Sequence, residues 1–99
     1  MTAGGEAATL RVIGELHLAR RELADAERFL RASLRLWDEL ELALPRARVL
    51  RDLARLAALR GHDDAGRLAR EALRVFEDHG ARERAELAAE LAGGRSPVL

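Results

Sequence analysis

The 99-residue sequence contains no cysteine, no lysine and no tyrosine, and it has only two prolines and three aromatic residues. The absence of cysteine excludes disulfides and thiolate metal sites. No apolar run approaches the ~20 residues that a membrane-spanning helix needs. The N-terminus also lacks the basic and apolar regions of a signal peptide. We therefore expect a cytoplasmic protein with no membrane partner.

The residues that are present are those of helices. The chain has 20 alanines and 19 leucines, which have high helix propensity, and few of the β-branched and aromatic residues that favour sheets. All 17 basic residues are arginine, and 17 acidic residues balance them to a formal net charge of zero. This balance argues against a nucleic-acid partner. The composition predicts an all-α fold.

Sparse helix breakers divide the chain into five expected helices. Apolar residues spaced by three and four predict them over about 7–20, 23–44, 45–60, 65–79 and 81–92. Pro45 is expected at the start of the third helix, because proline disfavours a helical conformation at the preceding residue. Gly61 and Gly80 are expected to close the third and fourth helices. In terms of domains, we predict a disordered lead-in (1–6), a helical domain (7–92) and a flexible tail (93–99).

The expected helices contain an internal repeat. Residues 50–57 (LRDLARLA) recur 34 positions later as residues 84–91 (RAELAAEL), and residues 10–17 (LRVIGELH) follow the same pattern. On the alternate helices, residues 26–34 (AERFLRASL) are matched by residues 65–73 (AGRLAREAL). The chain is therefore predicted to be two helix pairs followed by one lone helix.

This pattern resembles the tetratricopeptide repeat (TPR), in which small residues let the two helices of each pair approach closely. Gly14 and Ala54 occupy the small position on the first helix of the two pairs, and Ala88 occupies it on the lone helix. Ala26 and Ala65 occupy the facing position on the second helix of each pair. The resemblance covers about residues 8–92.

The resemblance implies both a fold and a function. The fold is a short right-handed solenoid of stacked antiparallel hairpins, with two hairpins and a C-terminal capping helix. The function is protein–protein interaction, as a scaffold or regulatory module that binds a peptide or protein surface. The long stretch over 36–51 is similar to the extended variety found in bacterial regulators and signalling proteins. Since two pairs bury little surface, further repeats or a second copy should cover the ends.

In such a solenoid the first, third and fifth helices line a concave face. The family's concave positions fall here on the candidate partner-binding residues Arg11, Glu15, Arg48, Arg51, Asp52, Arg55 and Arg82. Guanidinium groups bind carboxylates through paired hydrogen bonds, so an acidic peptide is the expected ligand. The alternative is that the arginines of the third helix only solvate it and pair with Asp52 or Glu15.

A second candidate surface lies at the end of the second helix, around Trp37, Leu40 and Leu44. The segment 34–44 contains more leucine than one apolar seam can bury, and tryptophan is enriched at binding hot spots. This surface predicts a homodimer, and with it the alternative function of a self-associating helical bundle with a structural role. Ordinary core packing is the other interpretation of Trp37.

The sequence offers no candidate for catalysis, a metal or a cofactor. His17, His62 and His79 lie on different elements and lack the paired spacing of zinc ligands. Asp63 and Asp64 are explained as capping residues of the fourth helix. We therefore expect a protein that is not an enzyme and needs no cofactor.

Overall fold

The computed structural model describes residues 2–93. They form five α-helices, which are α1 (Ala3–Ala19), α2 (Leu23–Leu40), α3 (Ala43–Leu59), α4 (Ala65–Asp78) and α5 (Glu83–Ala92), and this part of the chain contains no strand. The all-α prediction is thus confirmed. Apart from Gly93, which ends α5, the predicted tail lies outside the described residues. None of the described helices combines the length and the hydropathy that crossing a bilayer requires.

Helix α1 begins four residues before its expected start. Thr2 has an extended conformation, and its side chain accepts a hydrogen bond from the backbone N of Gly5 at 3.0 Å. This cap satisfies one of the free N–H groups of the first turn and offsets the low helix propensity of two glycines. Residues 3–6 are therefore helical, where the sequence predicted a disordered lead-in.

Helix α3 begins at Ala43, two residues before Pro45. Pro45 is the third residue of the helix, where its missing N–H would have no intrahelical partner in any case. The predicted closing glycines are confirmed, because Gly61 and Gly80 have φ values of 70° and 60°. Arg21 and Glu41 also have positive φ values, of 61° and 55°, and they end the first two helices without a glycine.

The helices pack mainly against their neighbours in the chain. α1 packs on α2 and α3 on α4, which gives two antiparallel hairpins, while α2 also contacts α3 and α4 contacts α5. α1 touches α3 as well. Gly14 and Ala54 are buried and Ala88 is half-buried, so the small residues of the repeat lie at helix contacts.

Two apolar clusters form the core, and α3 contributes to both. The first is Ala7, Leu18, Ala26, Leu30, Trp37, Val49, Leu53 and Leu56. The second is Ala47, Leu50, Ala54, Ala69, Ala72, Phe76 and Leu87. Because α3 supplies side chains to both clusters, the two hairpins share one continuous hydrophobic core.

Candidate functional site on α1, α3 and α5

Six of the seven predicted partner-binding residues lie on α1 and α3, on one face of the molecule that α5 also borders. Arg11 and Glu15 are on α1, and Arg48, Arg51, Asp52 and Arg55 are on α3. Ion pairs join five of these six residues, all except Arg48, into one charged network with Glu86 and Glu90 of α5, and Arg48 makes a separate pair with Glu83 of α5. Arg82, which precedes α5, is exposed and lies outside this network. We call this surface the α1/α3/α5 face.

Asp52 is the centre of the network. Its side chain is only 1% exposed, and guanidinium nitrogens of Arg11, Arg51 and Arg55 lie 3.7, 3.8 and 3.7 Å from its oxygens. These distances allow attraction between the charges but exceed those of hydrogen bonds. Arg11 instead donates its short hydrogen bond to Glu15, at 3.0 Å.

Asp52 and Glu15 form a carboxyl pair between α3 and α1. Burial raises the pKa of Asp52 to about 8, and a hydrogen bond to Glu15 and the negative charge of Glu15 act in the same direction. The positive charges of Arg51 and Arg11 oppose this shift without cancelling it. The pair therefore holds one proton over most of the neutral range.

Ion pairs connect α3 to α5 across the same face. Arg48 donates a hydrogen bond to Glu83 at 2.6 Å, and Arg55 lies 3.6 Å from carboxylate oxygens of both Glu86 and Glu90. Burial acts to raise the pKa of Glu83, but the Arg48 hydrogen bond and a backbone hydrogen bond outweigh it and hold the pKa below its usual value.

The sequence predicted α5 only as a capping helix, and Glu83 and Glu90 were not among the predicted site residues. Their side chains are only 14% and 23% exposed against α3, whereas that of Glu86 is 67% exposed. The spacing of these residues was the sequence signal for the contact. Glu83 and Glu90 are seven residues apart, and the arginines of α3 are four residues (Arg51, Arg55) and seven residues (Arg48, Arg55) apart. Acidic residues on one helix and basic residues at a matching spacing on another indicate that the two helices contact each other on these faces.

A cleft of about 170 Å³ opens between α1 and α3, on the edge of this face. It is lined by Glu15, Leu18, Ala19, Arg21, Asp52, Arg55 and Leu59. The lining combines an apolar floor with two acidic and two basic side chains. Its size suits one side chain, since a cavity of roughly 150 Å³ accommodates a molecule as large as benzene.

Five buried polar atoms of the α1/α3/α5 face have no hydrogen-bond partner within the protein. They are Arg51 Nε, Asp52 Oδ2, Arg55 Nε, Glu83 Oε1 and Glu90 Oε2. Buried polar groups are nearly always hydrogen-bonded in folded proteins, so a concentration of unpartnered ones needs a physical explanation. Elsewhere in the described chain only Trp37 Nε1 and Asp64 Oδ1 share this property.

The structure places Trp37 in the first core cluster, with 8% of its surface exposed. Its ring lies 3.9 Å from the position of a Cβ on Gly4, so the tryptophan covers the start of α1. Leu44 is half-buried against the second cluster, and Leu40 is 38% exposed. Of the second candidate surface, only Leu40 is thus an exposed side chain, next to Leu42 at 47%.

Among residues 2–93, no group of three histidine or acidic side chains is placed to hold a metal ion. His17 Nδ1 instead donates a hydrogen bond to Glu22 Oε1 at 2.9 Å, and the ring stacks on Phe29, with ring centres 5.3 Å apart. Comparison with protein-family models, curated proteins and solved structures finds no match.

Proposed function

We propose that this protein is a TPR-like interaction module that binds a peptide segment or protein surface on its α1/α3/α5 face. The observation that carries the proposal is the cleft between α1 and α3, which is sized for one side chain and lies on the face where five buried polar atoms lack a hydrogen-bond partner within the protein. A side chain of the bound segment would enter this cleft, where the guanidinium of Arg55 and the carboxyl of Glu15 offer a donor and an acceptor.

The packing of the helices supports the solenoid part of the proposal. Gly14 lies against Leu30 in the first hairpin, and Ala54 is fully buried in the second. The two hairpins lie next to each other through α2 and α3. Ion pairs then connect α3 to α5 on the face where α1 and α3 also meet. This arrangement is the one expected of consecutive stacked repeats.

The charges of the face define the chemistry of the proposed partner. Four arginines (Arg11, Arg48, Arg51, Arg55) face five acidic residues (Glu15, Asp52, Glu83, Glu86, Glu90) of the same chain. The side chains of Arg51 and Arg55 are 14% and 16% exposed and that of Glu90 is 23% exposed, so their outer atoms can meet a partner. An acidic side chain in the partner would serve the arginines, and backbone or amide N–H groups would serve the glutamates.

We also propose the kind of protein in which this domain acts. The long α2–α3 region and the repeat pattern resemble those of bacterial regulators and signalling proteins. We therefore propose a scaffold or regulatory role within such a protein, with the α1/α3/α5 face as the recognition surface and no catalytic step in this domain.

A displayed library of random peptides, selected against the folded protein, tests the proposal. Peptides that bind should lose about tenfold or more in affinity on an Arg51→Gln/Arg55→Gln variant, because polar anchors carry much of the binding energy. The matched control is Arg70→Gln/Arg74→Gln, which removes two exposed arginines of α4 and should leave affinity unchanged. Equal losses on both variants would overturn the proposed surface, and circular dichroism would verify that both fold.

Self-association through the α2–α3 corner is the second candidate function, and the exposure of Leu40 and Leu42 is the observation that favours it. The burial of Trp37 removes the largest anchor from that surface. Light scattering over a range of protein concentrations separates the two functions. A monomer at all concentrations supports the interaction module, and a dimer that Leu40→Asp and Leu42→Asp dissociate supports the bundle.

A further inference from the structure

Glu15 of α1 and Asp52 of α3 both approach Nη1 of Arg11, at 3.0 and 3.7 Å, and both line the cleft between the two helices. The two oxygens of Asp52 face different surroundings. Oδ1 lies 3.8 Å from Arg51 and 3.7 Å from Arg55, both on its own helix. Oδ2 faces α1, where the nearest guanidinium, that of Arg11, is 3.7 Å away. Oδ2 therefore has no hydrogen-bond donor within the protein.

The charged groups around Asp52 do not fully compensate an ionised carboxylate. On α1, Arg11 donates to Glu15 at 3.0 Å. On α3, Arg55 is shared with Glu86 and Glu90 of α5. Only Arg51 has no second carboxylate within 4 Å among the described residues. Arg21, from the α1–α2 turn, lines the cleft but makes no ion pair with Asp52.

A proton on Oδ2 of Asp52 removes the uncompensated charge and allows this oxygen to make a hydrogen bond. An O–H group on Asp52 donates to the carboxylate of Glu15, which satisfies the buried oxygen and removes the repulsion between the two acids. It also adds a direct hydrogen bond between α1 and α3, which otherwise have little contact on this side.

We propose that Glu15 and Asp52 form a proton-binding latch, in which a shared proton holds α1 against α3 and its loss at alkaline pH widens the cleft between the two hairpins. The raised pKa of Asp52, about 8, places the transition just above neutral pH. The latch consists only of residues of this chain and needs no bound partner, so it can be tested independently of the proposed peptide binding. If a partner does occupy the cleft, the latch would make its affinity depend on pH.

Spin-label distances test the latch directly. The chain has no cysteine, so Val12→Cys on α1 and Arg74→Cys on α4, both exposed, accept two nitroxides specifically. We expect the distance distribution to shift or broaden between pH 6 and pH 9. In an added Asp52→Asn variant it should stay the same at both pH values, because the amide N–H donates to Glu15 without titrating. A Glu39→Gln control, which removes an exposed carboxylate of α2 outside the α1/α3/α5 face, should keep the original response.

A carbon-13 titration of the carboxyl groups tests the same pair without any substitution. The Asp52 signal should titrate above pH 7. An Asp52 signal that titrates below pH 5 would overturn the latch. So would a distance distribution that does not change between pH 6 and pH 9, or one that changes equally in Asp52→Asn.

Discussion

Gly14 of α1 lies directly against Leu30 of α2, so that a Cβ on Gly14 would stand 2.8 Å from Leu30 Cγ and Cδ2 and 3.3 Å from its backbone N. Leu30 is fully buried, so its side chain has no free space into which it could move. Gly14→Ala should therefore lower the free energy of unfolding by about 1–3 kcal/mol, despite the better helix propensity of alanine. Urea denaturation measures the change. The control is Gly4→Ala, whose Cβ meets the Trp37 ring at an ordinary 3.9 Å; a similar loss in both variants would contradict the close approach.

Ser33 joins the two helices of the first hairpin by a buried hydrogen bond. Its Oγ donates to the backbone O of Ala7 at 2.7 Å, and both residues are fully buried. Ser33→Ala should cost about 1 kcal/mol of stability. Thr9→Ala provides the comparison, because the Thr9 hydroxyl makes a similar bond to Gly5 at 2.9 Å but is exposed. Thermal unfolding of the two variants should show a lower Tm for Ser33→Ala only.

The buried carboxyl of Asp52 should make stability fall as pH rises through neutrality. Its pKa is about 8 in the folded protein and roughly 3.9 in an unfolded chain. Between these values the folded state binds more protons than the unfolded state. The free energy of unfolding therefore decreases with pH, by at most about 1.4 kcal/mol per unit. In Asp52→Asn this decrease should disappear, and the variant should exceed the parent protein in stability at pH 9.

At acid pH, Glu27 and Glu83 should make the free energy of unfolding increase with pH, which is the opposite of the effect of Asp52. Hydrogen bonds from Arg31 and Arg60 lower the pKa of Glu27, and Arg48 does so for Glu83 against the effect of burial. Their stabilisation is present above the unfolded pKa of about 4.3 and is lost as pH falls through the lowered values. Chemical denaturation across pH 3–9 should thus show a stability maximum between about pH 4 and pH 5. A curve that rises steadily from pH 5 to pH 9 would contradict the account of Asp52.

The pair Arg48–Glu83 should contribute measurably to the docking of α5. Its side chains are 33% and 14% exposed and 2.6 Å apart, whereas those of Arg28 and Asp25 are 71% and 50% exposed at 3.2 Å. Double-mutant cycles to alanine should give about 1 kcal/mol of coupling for the first pair and roughly 0–0.5 kcal/mol for the second. Equal coupling in the two cycles would mean that α5 is held by its apolar contacts alone.

Features set by local chemistry could be predicted from the sequence. The closing glycines Gly61 and Gly80 adopt the expected positive φ, because the left-handed conformation is a property of the residue itself. Gly14 and Ala54 lie at buried helix contacts, since a repeated small residue on an apolar stripe marks such a position.

Features set by the packing of whole helices could not be predicted from the sequence. The rotation of α5 depends on how Leu87 fits beside Phe76 in the second cluster, and that rotation turns Glu83 toward Arg48. Likewise, the burial of Trp37 depends on the extra first turn of α1, which begins at Ala3 and passes beneath the ring at Gly4. Neither follows from periodicity within a single helix.

The central claim is that the α1/α3/α5 face is the recognition surface, and amide shift mapping by NMR tests it most directly. A selected peptide is titrated into the nitrogen-15-labelled protein, and the perturbed amides are assigned. The account predicts the largest shifts around Glu15, Asp52 and Arg55 and on the inner side of α5, with little change along the exposed side of α2 and α4. Shifts concentrated on α2 and α4, or around Leu40 and Leu42, would contradict it.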